Sequence, residues 1–406
     1  KKKQSAAAKT VETTKEDNQK KLQFSELIRF YIWTLEQQGE WTQIVEEVLL
    51  NDEPYGTILE PIPYDRKQLL AEYGLKVDKY VPLSNALYGY LLSQFDADEW
   101  TWWTGFFDSL FQLFDLLASK KLNSAPATVS FQGSNLKVVS SVETAKQFIA
   151  ELQGKYSKKR GPFLAMLELN RRLIKQQDND GDSESMQVYK RELEQMLYDY
   201  FVQFGVKNIC FEDVKPFLSN LSKDASLQLL GKCKQWIDDS SNGAVGEDRC
   251  VLNLNWRRIE RNLFIQNQKQ DPSLRMSDEL FKQLLLQYID ALSLGTKLEK
   301  TQNQFGDDFL VIATHYLLDC EKNELNMQHV VTCVMLLELA LKRSSYNLQI
   351  KCVLMRLYST LQIPLESFDI FITNYKPCGG VNMDIKHIQW ETLSYLIYYS
   401  LSNLGV

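Results

Sequence analysis

The sequence has few of the residues on which catalysis and metal binding most often depend. It contains three histidines among 406 residues, which leaves little room for general acid–base catalysis or a metal centre. It has only 10 prolines and 18 glycines, so long stretches run without a residue that interrupts a helix. No run of about 18 apolar residues occurs, and we therefore expect no membrane-spanning segment. The low number of prolines and glycines favours a helical protein.

Cysteine is present but shows no pairing pattern. The seven cysteines are odd in number and irregularly spaced, which is typical of reduced thiols in a cytoplasmic protein and not of a disulfide framework. We find no secretory signal. The chain begins with Lys1-Lys2-Lys3 and ends with Leu404-Gly405-Val406, and we expect it to be a piece of a longer protein, cut within a helical region.

Charge is distributed unevenly along the chain. The net charge is −6, but residues 1–21 contain seven lysines and three acidic residues. Their local charge of +4 leaves −10 for the rest of the chain. An acidic body argues against a DNA-binding surface. The basic segment has two interpretations, a solvated tail or a contact with RNA.

Hydrophobic periodicity predicts an all-α fold. The chain exceeds the size of a single core, about 250–300 residues, and apolar residues recur at helical spacing from Phe24 onward. The segment Gln38-Gly39-Glu40-Trp41 resembles the turn of a tetratricopeptide repeat, in which glycine ends the first helix. Ile44 stands where such a repeat has a small residue, so the pattern is degenerate. We predict tetratricopeptide-like helical hairpins stacked into a right-handed superhelix.

The predicted organisation has four segments. The only convincing β-like residues are Thr128–Phe131 and Leu136–Val139, and we interpret their surroundings as an extended loop or a small hairpin. The four segments are a basic arm, flexible or a solvated helix (1–21), degenerate tetratricopeptide-like hairpins (22–117), an irregular loop (118–141) and a continued, apparently truncated helical solenoid (142–406).

Three groups of residues are candidates for sites of chemistry, and none has the required spacing. His315, Cys320, His329 and Cys333 lack the short knuckles of a zinc site, and packed helix residues are the favoured interpretation. We expect no metal.

The two other groups fail in their register. The run Asp178–Asp182 does not match a calcium loop, because Gln176 and Gln187 occupy the first and last ligand positions. An acetyltransferase needs a backbone cradle for acetyl-CoA, and the nearest match, Gln228–Cys233, lies inside a predicted helix, where amides cannot converge. The sequence therefore predicts no active site and no cofactor.

Aromatic and basic surface remains as the material for a binding function. Trp100, Trp102 and Trp103 are too close in sequence to share one helix face, so some pack in the core and one is a candidate partner contact. The group Trp256-Arg257-Arg258, with Arg261 one turn later, places a basic stripe beside an apolar one. It is either a solvated face over a core tryptophan or a partner contact.

Several phrases of the sequence resemble, in order, the auxiliary, non-catalytic subunit of the N-terminal acetyltransferase complex NatB. The resemblance extends over nearly the whole chain from about Leu22. The phrases are Asp98–Trp100, Phe106–Leu113, Arg160–Leu169, Tyr346–Lys351, Leu354–Tyr358 and Asp384–Leu396.

This resemblance implies a scaffold that wraps the small catalytic acetyltransferase subunit in an obligate heterodimer. It also implies placement at the ribosome, where the complex uses acetyl-CoA to acetylate chains beginning with Met followed by Asp, Glu, Asn or Gln. The alternatives are a generic tetratricopeptide-type adaptor for a peptide or protein, and a helical enzyme, which the missing site disfavours. We expect a cytoplasmic protein without membrane contact. The predicted partner-contact residues are Trp103, Trp256, Arg257, Arg258, Arg261, Lys386, His387 and Trp390.

Overall fold

The structure is a computed structural model in which the chain divides into two compact units, Lys1–Arg172 and Leu173–Val406. Seven stretches of the chain are described. They are residues 26–51, 65–180, 183–239, 243–270, 277–299, 301–319 and 326–361.

The first unit is helical apart from one hairpin. A π-helix over Ile44–Leu49 continues its second helix, and a 3-10 turn over Asp78–Tyr80 precedes its fourth. The helices are α1 (26–38), α2 (Trp41–Gln43), α3 (Asp65–Gly74), α4 (Val81–Gln94), α5 (Trp100–Ala118), α6 (Val142–Lys155) and α7 (Gly161–Asp180), of which α7 begins in this unit.

The turn between α1 and α2 has the geometry that the sequence predicts. Gly39 has a φ of +75°, in the left-handed region. The amides of Gly39 and Glu40 donate to the carbonyls of Glu36, at 3.1 Å, and Leu35, at 3.0 Å. These bonds satisfy carbonyls that the end of α1 would otherwise leave unpaired. The π-helix then begins at Ile44, the position where the sequence departs from the tetratricopeptide pattern.

The segment after α5 contains an antiparallel hairpin of β1 (Thr128–Phe131) and β2 (Ser134–Lys137). Its two turn residues, Gln132 and Gly133, both have positive φ, which matches the right-handed twist of the strands. The small hairpin is therefore the correct alternative for these residues. Its second strand begins two residues earlier than predicted, because the tight turn at Gln132-Gly133 fixes the register.

The core of the first unit lies between α4 and α5. Trp103, Phe106 and Phe107 are fully buried, and the rings of Trp103 and Phe107 stack with centroids 5.9 Å apart. A buried polar link crosses this core: the Asn85 amide donates to Ser109 Oγ at 3.0 Å and accepts from the amide of Val139 at 2.7 Å. The link joins both helices to the chain that follows the hairpin.

The helices of the second unit are α8 (Ser183–Phe204), α9 (Cys210–Leu218), α10 (Lys223–Asp238), α11 (Gly246–Gln270), α12 (Asp278–Leu292), α13 (Asp307–Asp319), α14 (Met327–Leu341) and α15 (Leu348–Thr360). In the second unit each helix packs against helices one or two places away along the chain: α8 against α10, α9 against α11, and each of α12, α13 and α14 against the next. The buried cluster spans its later helices, and α13 lies at the centre, packed against α11, α12 and α14, with Phe309 to Ala313 all buried.

Polar caps explain where several of these helices begin. In each case a Ser or Asn side chain accepts a hydrogen bond from a first-turn amide, a bond worth about 0.5–2 kcal/mol. The capping residues are Ser141 of α6, Ser222 of α10, Ser277 of α12, Asn326 of α14 and Asn347 of α15.

The prediction of an all-α fold built from helical hairpins is confirmed. Two helices were not predicted: α3 is mostly polar and α9 contains Pro216. The predicted boundaries of the four segments stay predictions.

Candidate partner-binding surfaces

Two of the phrases quoted for the family resemblance contact each other in the first unit. The amide of Gly161, at the start of α7, donates to Asp98 Oδ1 at 2.6 Å. A Cβ at Gly161 would lie 2.1 Å from the carbonyl oxygen of Ala97, so only glycine fits this approach. The indole of Trp103 donates to the same Ala97 carbonyl at 2.8 Å. These phrases therefore form a structural junction, which positions α7 on the turn before α5.

An ion-pair network continues this junction along α7. Glu168 is 6% exposed and accepts from Arg171 Nε at 2.7 Å and Arg172 Nε at 2.8 Å. Arg172 also donates to Asp108 of α5 at 2.7 Å and lies over the ring of Phe107. Burial opposes the charge of Glu168, but the hydrogen bonds from both arginines hold the pKa of this carboxyl below its ordinary value. The network joins α7 to α5.

Trp103, a predicted partner contact, is instead fully buried. It packs edge-on against Phe106, with ring centroids 5.8 Å apart, and its indole N–H is satisfied within the core. Burying such a large side chain stabilises the unit, which supports a packing role for Trp103, and partner binding by it stays a prediction. The tryptophan of this group that is exposed is Trp100, at 40%.

The basic stripe predicted on α11 is bonded within the second unit. The Arg257 side chain is 4% exposed and donates to Glu260, Gln283 and Gln287 at 2.8–3.0 Å. Trp256 is 7% exposed, and its indole donates to the Leu230 carbonyl.

The other two arginines of this stripe are partly exposed. Arg258 pairs with Asp308 of α13, and Arg261 is half-buried. These contacts support a packing role for Trp256, Arg257 and Arg258, and partner binding by them stays a prediction. Lys386, His387 and Trp390 lie outside the described residues.

The described residues offer little chemistry of their own. Gln228–Cys233 lies inside α10, as predicted, and no group of three or more His, Cys, Asp or Glu in the described stretches could hold a metal ion. Cys320 of the zinc set, and Gly181 and Asp182 of the calcium-like run, are outside these stretches. Burial raises the pKa of the Cys250 and Cys333 thiols to about 11, which keeps them protonated at neutral pH.

Among the described residues, an exposed apolar face on α14 is a surface suited to a partner. Met327, Val331, Met335 and Leu339, named here the α14 stripe, are 44–62% exposed. They recur every four residues and so follow one side of the helix for about 18 Å. The opposite side of α14 is buried in the core through Val330, Cys333, Leu337 and Ala340. A helix that is apolar on both sides is normally covered on both sides.

The α14 stripe itself is uncharged, although the exposed Lys342, the C-cap of the helix, lies one turn beyond Leu339. Its neighbours on the exposed side, Gln328 and Thr332, are neutral, and Glu338 is the helix's one acidic residue and accepts from the Tyr358 hydroxyl. None of the predicted partner-contact residues lies on this helix, although the sequence contains a signal for the surface. A second apolar series with a spacing of four accompanies the core-facing one, and two such series on one predicted helix indicate a second contact.

Helical hairpins, polar junctions used for packing and an uncovered apolar helix face define a helical-repeat interaction protein. The model of the family described as "N-acetyltransferase B complex (NatB) non catalytic subunit" matches residues 100–406. Since this match includes well over half of the chain, the chain belongs to that family of non-catalytic NatB subunits.

Curated relatives agree with the family. The chain is 28% identical over 391 residues to "N-alpha-acetyltransferase 25, NatB auxiliary subunit" of Mus musculus, which covers 93% of this chain and 37% of that protein. For the Homo sapiens protein of the same name the identity is 30%, over 80% of this chain and 32% of that protein. The NatB auxiliary subunit NAA25 of Arabidopsis thaliana is 25% identical over 64% of this chain and 22% of that protein. The chain thus spans about a third of the length of these first two relatives.

The length and hydropathy of the described helices bear on membrane insertion. None of these helices combines the length and the apolar character needed to cross a bilayer.

Proposed function

We propose that this chain is part of the scaffold that binds the catalytic acetyltransferase subunit of NatB in an obligate heterodimer. Family membership supports a role within that complex. The observation in the structure that favours direct partner binding is the α14 stripe. An exposed, uncharged face of four large apolar side chains costs free energy in water and gains it when a partner covers it, at about 25 cal/mol per Å².

The composition of the α14 stripe suits a permanent contact. Obligate interfaces are more hydrophobic than transient ones, and methionine, which supplies Met327 and Met335, is enriched in interface cores because it adapts its shape. The stripe is too small to form a standard interface of about 800 Å² per partner by itself. We therefore place it as one contact within a larger surface.

The test compares substitutions to Asp at exposed apolar positions on two helices of the second unit. Leu339 and Leu227 are both exposed, at 49% and 58%, but Leu227 lies on α10, outside the α14 stripe. Co-expressed with the catalytic subunit and purified by a tag on that subunit, Leu339→Asp and Met335→Asp should lose most of the bound scaffold. Leu227→Asp should retain it, since a carboxylate in an apolar contact costs several kcal/mol only where the contact exists.

The melting temperatures of the free chains should be equal, because all three positions face solvent. Retention of the partner by the Met335→Asp and Leu339→Asp variants would refute this contact. The variant Phe30→Asp on α1, where Phe30 is 63% exposed, would then show whether the contact lies in the first unit.

The finer parts of the function are proposals from the family resemblance. The chain would act in the cytoplasm and help to place the catalytic subunit at the ribosome. There the complex would acetylate nascent chains that begin with Met followed by Asp, Glu, Asn or Gln. The excess lysine of residues 1–21 supports a salt-dependent contact with ribosomal RNA. The alternative of a generic tetratricopeptide-type adaptor is less favoured, because the family match is to a NatB subunit.

A further inference from the structure

A buried carboxyl group lies where four helices of the second unit meet. Asp307, the first residue of α13, is 2% exposed. Its Oδ2 accepts from Asn347 Nδ2 at 2.8 Å. Asn347 is also the N-cap of α15, since its Oδ1 accepts from the Ile350 amide at 3.1 Å. Asn347 therefore connects the start of α13 to the start of α15.

The groups around Asp307 supply no positive partner. Among the described residues no Lys, Arg or His forms an ion pair with it. From α12 the phenol of Tyr288 faces it. Arg343, which follows α14, forms a hydrogen bond with that phenol and opposes the rise in its pKa. On α13 its neighbour Asp308 adds negative charge, although Arg258 of α11 pairs with Asp308.

Ser344 lies beside the carboxyl, whereas the cation of Lys351 contacts an aromatic ring. The Ser344 hydroxyl accepts from the Gln304 amide at 2.9 Å beside it, and Lys351, the buried cation of α15, lies over the ring of Tyr346. Neutral donors thus hold a carboxyl group whose charge is almost completely removed from water.

We propose that Asp307 is a pH-sensitive packing contact of the second unit. Helices α12–α15 pack tightly when its carboxyl is neutral, and their packing loosens when the carboxyl ionises. Removing an ion from water is unfavourable unless a counter-ion compensates, and none of the described residues supplies one. Because α14 packs against both α13 and α15, ionisation also loosens the helix that presents the α14 stripe.

The direction of the pH effect follows from proton binding. Burial raises the pKa of Asp307, hydrogen bonds from Ser344 and Asn347 oppose the rise, and the charge of Asp308 adds to it. The folded chain therefore holds this proton more tightly than the unfolded chain. The resulting stability is complete below the ordinary pKa of aspartate and is lost as the pH rises through the folded value. Each unit of elevation weakens folding tenfold at high pH.

The adjacent aspartates give a matched pair for the test. Urea unfolding of the full chain should show that Asp307→Asn, which keeps the shape and the acceptor oxygen, is more resistant than the parent at pH 8. It should also remove most of the loss of stability between pH 4 and pH 8. Asp308→Asn, which removes one negative charge from the next residue, should keep most of the parent's slope, because the burial of Asp307, the larger cause of its raised pKa, is unchanged.

An unchanged slope in Asp307→Asn, or an equal change in Asp308→Asn, would overturn the proposal. If Asp307→Asn does not fold, hydrogen exchange of the parent chain tests the same proposal. After correction for the intrinsic rate, protection of the Leu348–Thr360 amides should fall from pH 4 to pH 8 relative to those of Trp100–Ala118. Equal protection at both pH values would refute the proposed role of Asp307.

Discussion

A single methyl group at Gly161 should damage the first unit more than most substitutions of larger size. In Gly161→Ala the new Cβ would lie 2.1 Å from the Ala97 carbonyl oxygen and 2.8 Å from Asp98 Cα. A carbon–oxygen contact is ordinarily at least about 3.3 Å, so α7 or the turn before α5 must move by about 1.2 Å. Both sides of this contact are backbone, and neither can rotate away.

The size of the effect follows from what this movement breaks. Overpacking of a well-packed site costs about 1–3 kcal/mol. The 2.6 Å hydrogen bond from the Gly161 amide to Asp98 is stretched at the same time, and a bond to a charged group contributes about 1.5–3 kcal/mol. We expect Gly161→Ala to lower the free energy of unfolding by about 2.5–6 kcal/mol, the sum of these two effects.

The chain offers a control with the opposite sign. Gly154 lies in the last turn of α6, and a Cβ there meets no atom within 4 Å. Gly154→Ala should stabilise the chain by about 0.5–1 kcal/mol, because alanine loses less backbone entropy in a helix.

Urea unfolding followed by tryptophan fluorescence measures both variants, and hydrogen exchange of Trp100–Ala118 assigns the change to the first unit. A stability for Gly161→Ala within about 0.5 kcal/mol of the parent, the range of a neutral surface change, would refute the close approach of α7 to Ala97.

Three further predictions concern charged side chains. Glu168→Gln should cost about 1–3 kcal/mol at pH 7. Because the pKa of Glu168 is lowered in the folded chain, the stability that it contributes is lost as the pH falls through the folded value, so parent and variant should converge in acidic urea titrations, and parallel curves would contradict the network. Arg257→Ala should lower stability by about 2–3 kcal/mol, since it leaves buried polar partners unpaired, and a variant that instead melts normally but loses the catalytic subunit would place Arg257 at the interface. Neutralising Lys1–Lys3 should weaken ribosome co-sedimentation and flatten its logarithmic salt dependence by slightly less than one unit for each phosphate that the lysines no longer neutralise. Superimposable curves at several salt concentrations would show that the arm is passive.

The helices were largely predictable because their signals are local. The sequence predicts helices over Val81–Gln94 and Lys223–Asp238, and these are the bounds of α4 and α10 in the structure, since apolar spacing and a cap such as Ser222 act within a few residues. The turn at Gly39 was predictable for the same reason, as only glycine adopts the left-handed backbone there at no steric cost. The polar α3 was missed because it has too few apolar residues to show the helical periodicity, and α9 was missed because Pro216 indicates a break in a helix.

The sequence by itself thus determined the helical hairpins, the family resemblance and the absence of a recognisable catalytic motif. The tertiary structure decided which side chains are available to a partner. Trp100 and Trp103 are the same residue type on one helix, yet only Trp103 enters the core. Gly161 is required by Ala97, a residue far away in sequence, and α14 has two apolar series of which packing covers one. Helix formation depends on neighbours within a turn or two, whereas burial depends on which distant helices meet, and that is settled only when the chain packs.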